Sequence, residues 1–479
     1  MKQLMRNVRL VLTFLLVLAI VFGAGLFYQM HQSQTVLLAV AGENKESLRQ
    51  QYAQAGTIYS QEGVKLAYSD ADVENRYYVE DPNIQMAISH YVGDYTHHMS
   101  NTVETLYQNE LLGKNRGIIE QLILDVSGKG LEGDNVHLTI DAALSGYARQ
   151  LLGDLKGSVV LMNYETGDVL GMASTPATYM ENIINYENLP DSSLFNRSLN
   201  GAYAPGSTWK ILTSAAWMNS KAYDPELLIE SDGSPLVPNG AFDHESKNMH
   251  GDYDLNRAFT TSSNVFFGQL AVLMGQKEFS NYLNNSGLSS IKSINRLSVS
   301  PAVMDSSAAA NDQGLLSWYG TGQPVGELKL SMSPLELASI GSAVANGGQL
   351  LQPNMIKYVE NPIGQKKEVA NTKLNSQIFS PEVANNLKSL MINAIQSEES
   401  IQYAAGISGL TVGGKSGTVQ KQDAEGNSTN SLWIGFIDSK EYPYAVATVV
   451  EGSNDTNATA IYIGNSLLAE AVNLRNAGH

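Results

Sequence analysis

Apolar positions along the chain change spacing from segment to segment, and each spacing predicts an element. Leu10–Phe27 is an uninterrupted run without charges. As a helix rising about 1.5 Å per residue it nearly spans a hydrocarbon core of about 30 Å. Asn101–Gly113 carries Val103, Leu106, Tyr107 and Leu111 at helical spacing and predicts an amphipathic helix. Ser158–Asn163 and Val169–Ser174 predict two strands joined by a turn at Glu165–Asp168, where Gly167 can supply a positive φ. A long helical block is predicted from Thr208 to about Leu283, beginning with the apolar stretch Ile211–Met218. Leu410–Lys421, Ser431–Ile437 and Tyr444–Val450 predict three more strands, with turn-rich Ala424–Asn430 between the first two. Ile461–Arg475, with Leu467, Leu468, Ala471 and Leu474 in helical register, predicts a closing helix. Five strands with helices before, between and after them predict an α/β (α+β) domain, an antiparallel five-stranded sheet with helices on both faces.

Composition narrows the class. The 479 residues suit two or three domains, and 43% hydrophobic content suffices for real cores. Lys2, Arg6 and Arg9 precede the apolar run, which favours a cytoplasmic N-terminus, a membrane anchor and an external body. The rival expectation is a cleaved signal peptide ending at Ala39-Val40-Ala41, but the run is long for a signal and that site lies far beyond it. Setting aside those three basic residues, a formal charge of −17 leaves −20 on the remainder, which argues against nucleic acid as a partner. With no cysteine, neither disulfides nor thiolate metal sites are possible. His97-His98 with His90 suggest a metal only weakly, since no carboxylate or further ligand sits at site-like spacing, and a surface or packing role is expected instead.

Candidate chemistry starts at Tyr203–Lys210, Y-A-P-G-S-T-W-K. Pro205 and Gly206 form a turn, and Ser207 and Lys210 share a face three residues apart at the opening of the apolar helix. A serine hydroxyl needs an adjacent base to attack near neutral pH, and a desolvated lysine with a lowered pKa can serve. The helix N-terminus adds positive potential where negative charge builds. A second S-x-x-K, Ser289–Lys292, lies in a polar run without turn or apolar helix and is expected to be ordinary loop. Two further elements follow the first copy: Ser262-Ser263-Asn264, and Lys415-Ser416-Gly417-Thr418. S-x-N recurs at Ser198–Asn200, Ser293–Asn295 and Ser428–Asn430, whereas K-S-G-T occurs once. S-x-x-K, S-D-N and K-T-G in this order are an established joint signature of penicillin-binding proteins and class A β-lactamases.

With these residues the chain resembles a class B penicillin-binding protein, a monofunctional D,D-transpeptidase, in a short form without C-terminal repeat modules. The resemblance extends to Gly133–Asp141, to Gly157–Pro176 as the first hairpin, and to Asn196-Arg197 before the nucleophile. It includes Tyr319–Gln323 (Y-G-T-G-Q), Ser333–Ala338 and Ala345–Gly348. It is close from about Gly133 onward and looser before, where Gly56–Tyr68 resembles the opening strand and turn but lacks the usual Asp-Arg pair. The resemblance implies a cytoplasmic end and anchor over 1–30, a non-catalytic pedestal over 31–132 and a transpeptidase domain over 133–479. Within the pedestal, Gln32–Glu46 is expected to be stalk or first strand. The stretch between Phe27 and Gly133 is too short for a complete glycosyltransferase domain.

The resemblance also implies roles. Ser207 is the nucleophile, Lys210 its base, and Ser262 a proton relay toward the leaving amine. Asn264 holds substrate backbone and the Lys210 amine. Lys415 adds positive charge near Ser262, Ser416 and Thr418 meet the substrate carboxylate, and Gly417 lets the strand approach the ligand. The N–H groups of Ser207 and Thr418 form the oxyanion hole. Implied ligands are peptidoglycan stem peptides and β-lactams, with no cofactor. Implied partners are the bacterial plasma membrane and a polytopic glycan polymerase within it. A D,D-carboxypeptidase, a silent cell-wall-synthesis scaffold and a β-lactam sensor are the alternatives.

Overall fold

Strands made of continuous apolar and small residues, rather than alternating ones, must be covered on both faces. β1 (Gly157–Asn163), β2 (Val169–Thr175) and β5 (Tyr444–Val450) are of this kind in the computed structural model, and the longer, partly polar β3 (Val412–Asp423) and β4 (Gly426–Ile437) pair beside them. The structure describes residues 5–7, 9–18, 20–21, 51–70, 75–242, 250–369, 375–400, 402–403, 405–423, 426–453 and 458–478. The five strands form one antiparallel sheet in the order β3-β4-β5-β1-β2. β3 is therefore an edge strand.

Period-2 alternation divides the sheet's side chains between two layers. Val159, Leu161, Val446 and Trp433 join Leu144 and Leu152 of α1 (Ala142–Leu152) and Leu467 and Leu468 of the closing helix. Val160, Met162, Leu432, Ile434 and Ala447 fill the opposite layer, with Ile211 and Leu212 of α2 (Lys210–Met218). Helices thus cover both faces, as the spacing predicts. The remaining helices around the site are α3 (Leu255–Thr261), α4 (Asn264–Met274) and α5 (Pro334–Ala345); the closing helix is α6 (Ala458–Asn476). A capping box between Ser333 and Glu336, with Pro334 at the first position, starts α5 sharply.

Three sequence expectations need correction. The helical block from Thr208 is interrupted by a small hairpin, Ile229–Ser231 paired with Gly251–Tyr253. Asn101–Gly113 folds as two four-residue helices, Val103–Leu106 and Gln108–Leu111, rather than one. Residues 426–430 are strand, not turn: β4 begins at Gly426 and continues the ladder with β3. Polar residues can do this because the ladder is made by backbone groups, each of 426–430 pairing with a residue of 419–423.

A second sheet has the order Lys366–Lys367, Ile356–Glu360, Asn135–Leu138, Ile58–Tyr59, Lys65–Asp70, Asn75–Tyr78. It draws strands from both sides of Gly133. Arg76 and Glu104 lie beneath it as a fully enclosed pair, the Arg76 Nε donating to Glu104 at 2.8 Å. Among the described residues no helix is long and apolar enough to cross a membrane. Residues 9–18 and 20–21 are helical; 19 and 22–27 of the expected span, and all of Gln32–Glu46, lie outside the described residues.

Candidate active site

Ser207 sits in a 3-10 turn, Gly206–Trp209, that runs directly into α2. In a 3-10 turn residues i and i+3 eclipse, so Lys210 stands directly along from Ser207. Gly206 adopts φ 52°, a region that favours glycine. A Cβ there would also approach the Thr418 carbonyl oxygen to 2.7 Å. Gly417 is the counterpart on β3: a Cβ would come within 2.9 Å of the Pro205 carbonyl oxygen and of Thr208 Cγ2. The two glycines let the serine turn and the K-S-G-T strand touch backbone to backbone. The preceding chain is held by paired backbone bonds between Tyr203 and Met332 (2.9 and 2.8 Å).

The second element joins two helices. α3 ends at Ser262, which takes a left-handed conformation (φ 63°, ψ 38°), and Ser263 caps α4 by accepting the Phe266 N–H at 3.2 Å. A non-glycine residue in this region is uncommon and costs about 1–2 kcal/mol. It turns both the Ser262 carbonyl and hydroxyl toward Lys210. The Lys210 Nζ donates to the Ser262 carbonyl oxygen (2.5 Å), to its Oγ (3.2 Å) and to Asn264 Oδ1 (2.8 Å). Lys415 Nζ reaches the same Ser262 hydroxyl at 3.0 Å and the Ser416 carbonyl at 3.3 Å. Both lysines are fully buried. Each ammonium also lies near an aromatic face, Lys210 over Phe267 at 5.4 Å and Lys415 over Phe259 at 5.7 Å. Burial lowers Lys415 from its usual 10.5 to about 7, so near neutrality it can be either charged or neutral. One hydroxyl thus sits between two amines, the arrangement of a proton relay.

On β3, alternate residues direct their backbone groups off the open edge. The Ser416 N–H points outward, donating to the Gln402 Oε1 at 2.8 Å. Thr418, two residues on, therefore points the same way, and its carbonyl accepts from Gln323 Nε2 at 3.0 Å. The Ser416 side chain is only 1% exposed with its hydroxyl enclosed, whereas Thr418 is partly exposed. Trp209 is core, edge-on to Tyr319 at 5.5 Å. Trp433 lies behind the sheet with its Nε1 bonded to Asn465 Oδ1 at 3.1 Å.

Other candidates lie apart from this cluster. In the second S-x-x-K, Ser289 is in the 3-10 turn Leu288–Ser290 and Lys292 is exposed. His90 is enclosed, its Nε2 2.9 Å from the Ser193 carbonyl, and burial lowers it to about 4. His97 pairs with Tyr52 (2.7 Å) and His98 with Asp94 (3.1 Å). Sequence reasoning missed three residues that brace the site. Glu451, immediately after β5, accepts from Arg197 Nε (2.7 Å) and Tyr203 OH (2.6 Å), tying the sheet to the chain just before the nucleophile. Gln323 belongs to the Y-G-T-G-Q stretch that carried the resemblance, but its contact with Thr418 has no local signal. Gln402 has no signal in the sequence at all, since its partner is 14 residues away.

Comparison with known proteins follows this geometry. The family model for the penicillin binding protein transpeptidase domain matches residues 157–471. The peptidoglycan D,D-transpeptidase MrdA of Haemophilus influenzae is 27% identical over 400 residues, covering 75% of this chain and 61% of that protein. The peptidoglycan D,D-transpeptidase PbpA of Mycolicibacterium smegmatis is 26% identical over 463 residues, covering 90% and 91%. The crystal structure of the D,D-transpeptidase domain of a peptidoglycan glycosyltransferase from Eggerthella lenta superposes with TM-score 0.76 at 26% identity, covering 89% of this chain and 100% of that one. Penicillin-binding protein A of Mycobacterium tuberculosis, solved as an imipenem acyl-enzyme, shares the fold with TM-score 0.75 at 24% identity, covering 88% and 99%.

Proposed function

This chain belongs to the penicillin-binding protein transpeptidase family, and from that premise we propose that it is a peptidoglycan D,D-transpeptidase working through a serine acyl-enzyme that β-lactams trap. The observation that carries the reading is the single Ser262 hydroxyl bonded by both buried amines, Lys210 at 3.2 Å and Lys415 at 3.0 Å. Ser207 Oγ attacks the carbonyl between the two terminal D-alanines while a neutral Lys210 takes its proton. The proton passes through Ser262 to the departing amine as the C–N bond breaks. Asn264 Oδ1 anchors Lys210 through its 2.8 Å bond. The Ser207 and Thr418 N–H groups hold the oxyanion, and loss of one such donor typically costs about 10²–10³ in rate. Thr418, partly exposed, meets the terminal carboxylate; Ser416 contributes through its backbone and Gly417 through the contact it permits. An amine of a second stem peptide then attacks the ester, forming the crosslink and regenerating the Ser207 hydroxyl.

The same reading extends to location. The charge-free run after Lys2, Arg6 and Arg9 supports a single anchor with an extracytoplasmic body. The chain before Gly133 acts as pedestal and, with the anchor, meets a polytopic glycan polymerase. Protease added outside intact cells should digest the body and spare the first residues; complete protection sinks the topology.

The activity test uses full-length protein in membranes with a fluorescent penicillin, wild type beside Ser207→Ala. Labelling is expected only for wild type, and equal labelling of both overturns the assignment. Product mass spectrometry with an acceptor amine separates crosslinking from carboxypeptidase behaviour. Rescue of a depletion strain by Ser207→Ala favours a scaffold instead.

A further inference from the structure

An edge strand leaves half its backbone groups without a ladder partner, and on β3 one of these is supplied by a side chain from outside the sheet. Gln402 Oε1 accepts the Ser416 N–H at 2.8 Å, between Lys415 and the Gly417–Thr418 segment that packs on the serine turn. The amide's orientation is fixed by chemistry: only its oxygen can accept from an N–H. Gln402 is 1% exposed, so water does not compete for this bond.

Gln402 is itself braced. Its N–H donates to Ser400 Oγ at 3.1 Å, and its carbonyl accepts the Ala405 N–H at 3.2 Å. The Ala405 carbonyl is bonded by Asn465 Nδ2 of α6, whose Oδ1 accepts from Trp433 Nε1 at 3.1 Å. Trp433 is the β4 residue directly opposite Ser416. Side chains and backbone therefore close a ring: Ser416, Gln402, Ala405, Asn465, Trp433 and back across the sheet. Such a ring fixes the height of β3 relative to α6 independently of the site's own contacts.

We propose that Gln402 is a positioning residue for acylation. It supplies the edge partner that β3 lacks at Ser416, holds Lys415 and Thr418 in register with Ser207, and closes that point of the edge to a ligand's backbone. The proposal rests on the transpeptidase reading above, because the register matters only if Ser207 is acylated beside β3. Without the acceptor, the strand loses its tether where the oxyanion donor and the second lysine are aimed. Displacements of about 1 Å in such groups cost up to about 10² in rate.

Full-length Gln402→Met keeps the volume and removes the acceptor, whereas Gln402→Glu keeps an acceptor at the same reach. The acylation rate constant with fluorescent penicillin, thermal melting, and hydrogen exchange of a peptide covering 412–420 are measured for both beside wild type. Expected for Gln402→Met are an acylation rate lowered roughly tenfold, faster exchange in that peptide and a cooperative melt only a few degrees below wild type. Gln402→Glu is expected to stay within about threefold of wild type in rate. Wild-type acylation in a well-folded Gln402→Met protein overturns the inference, as does a Gln402→Glu protein as slow as Gln402→Met. If Gln402→Met does not melt cooperatively, Gln402→Ala replaces it as the acceptor-free variant: a roughly tenfold slower acylation than in Gln402→Glu supports the role, and equal rates in the two overturn it. Failure of the wild type to label, or labelling that survives Ser207→Ala, instead refutes the transpeptidase reading.

Discussion

Replacing Lys415 by methionine should make the protein more stable while nearly abolishing acylation. Lys415 is wholly enclosed, with two neutral oxygen acceptors, Ser262 Oγ at 3.0 Å and the Ser416 carbonyl at 3.3 Å. Burial alone moves its pKa from 10.5 to about 7, with no carboxylate compensating among the described residues. At about 1.4 kcal/mol per tenfold change in protonation, the folded state carries a penalty of about 5 kcal/mol when the amine is charged. The sign follows from proton counting. Between about pH 7 and 10.5 the unfolded chain holds a proton that the folded chain has shed, so stability rises with pH across that window. Below pH 7 both states are protonated and the penalty is constant. Methionine removes it but forgoes two hydrogen bonds worth about 1 kcal/mol each, leaving a net gain of about 3 kcal/mol near pH 6.5. Thermal melts of both proteins from pH 6.5 to 10 measure this. The Lys415→Met protein should melt higher by several degrees at pH 6.5, the gap closing toward pH 10, with penicillin acylation lowered by about 10² or more. A lower melting temperature for the variant at pH 6.5, or a gap independent of pH, refutes the reasoning.

Ser262→Gly relieves the left-handed backbone at φ 63° and should leave stability unchanged or raise it by up to about 1 kcal/mol; loss of the relay hydroxyl should still slow acylation about 10²-fold, both read on one purified sample by melting and labelling. Gly417→Ala places a Cβ within 2.9 Å of the Pro205 carbonyl oxygen and Thr208 Cγ2, forcing β3 off the serine turn. Its acylation should fall about 10–10², and a wild-type rate there would show that this contact does not set the register. Because Lys415 titrates near pH 7, wild-type acylation should fall as pH drops through about 7, when the Lys415 amine beside Ser262 becomes charged and can no longer take a proton from that hydroxyl. Stopped-flow labelling from pH 5.5 to 8.5 tests this, and a flat profile contradicts it.

The local parts of the site were legible in the letters. Pro205-Gly206 before an apolar octet is enough to predict a serine turn running into a buried helix, because turn chemistry and helix periodicity are short-range properties. Five strands were recoverable because β1 and β5 are continuous apolar runs bounded by turns. The ribbon 426–430 was misread for the complementary reason: a strand of glycine and polar residues leaves no hydrophobic period, and only pairing with β3 reveals it.

Tertiary structure decided what links segments far apart in sequence. No local rule puts Ser262 in a left-handed conformation; two helices meeting at a fixed angle over Lys210 impose it. The lowered pKa of Lys415 comes from layers of side chains closing over it, not from its neighbours in the K-S-G-T motif. Gln402 and Glu451 act at sequence separations of 14 and 254 residues, where spacing carries no information. Sequence thus specified the reacting groups and the elements bearing them, because those depend on residue type and short-range order. Their desolvation and register depend on what the folded chain packs around them.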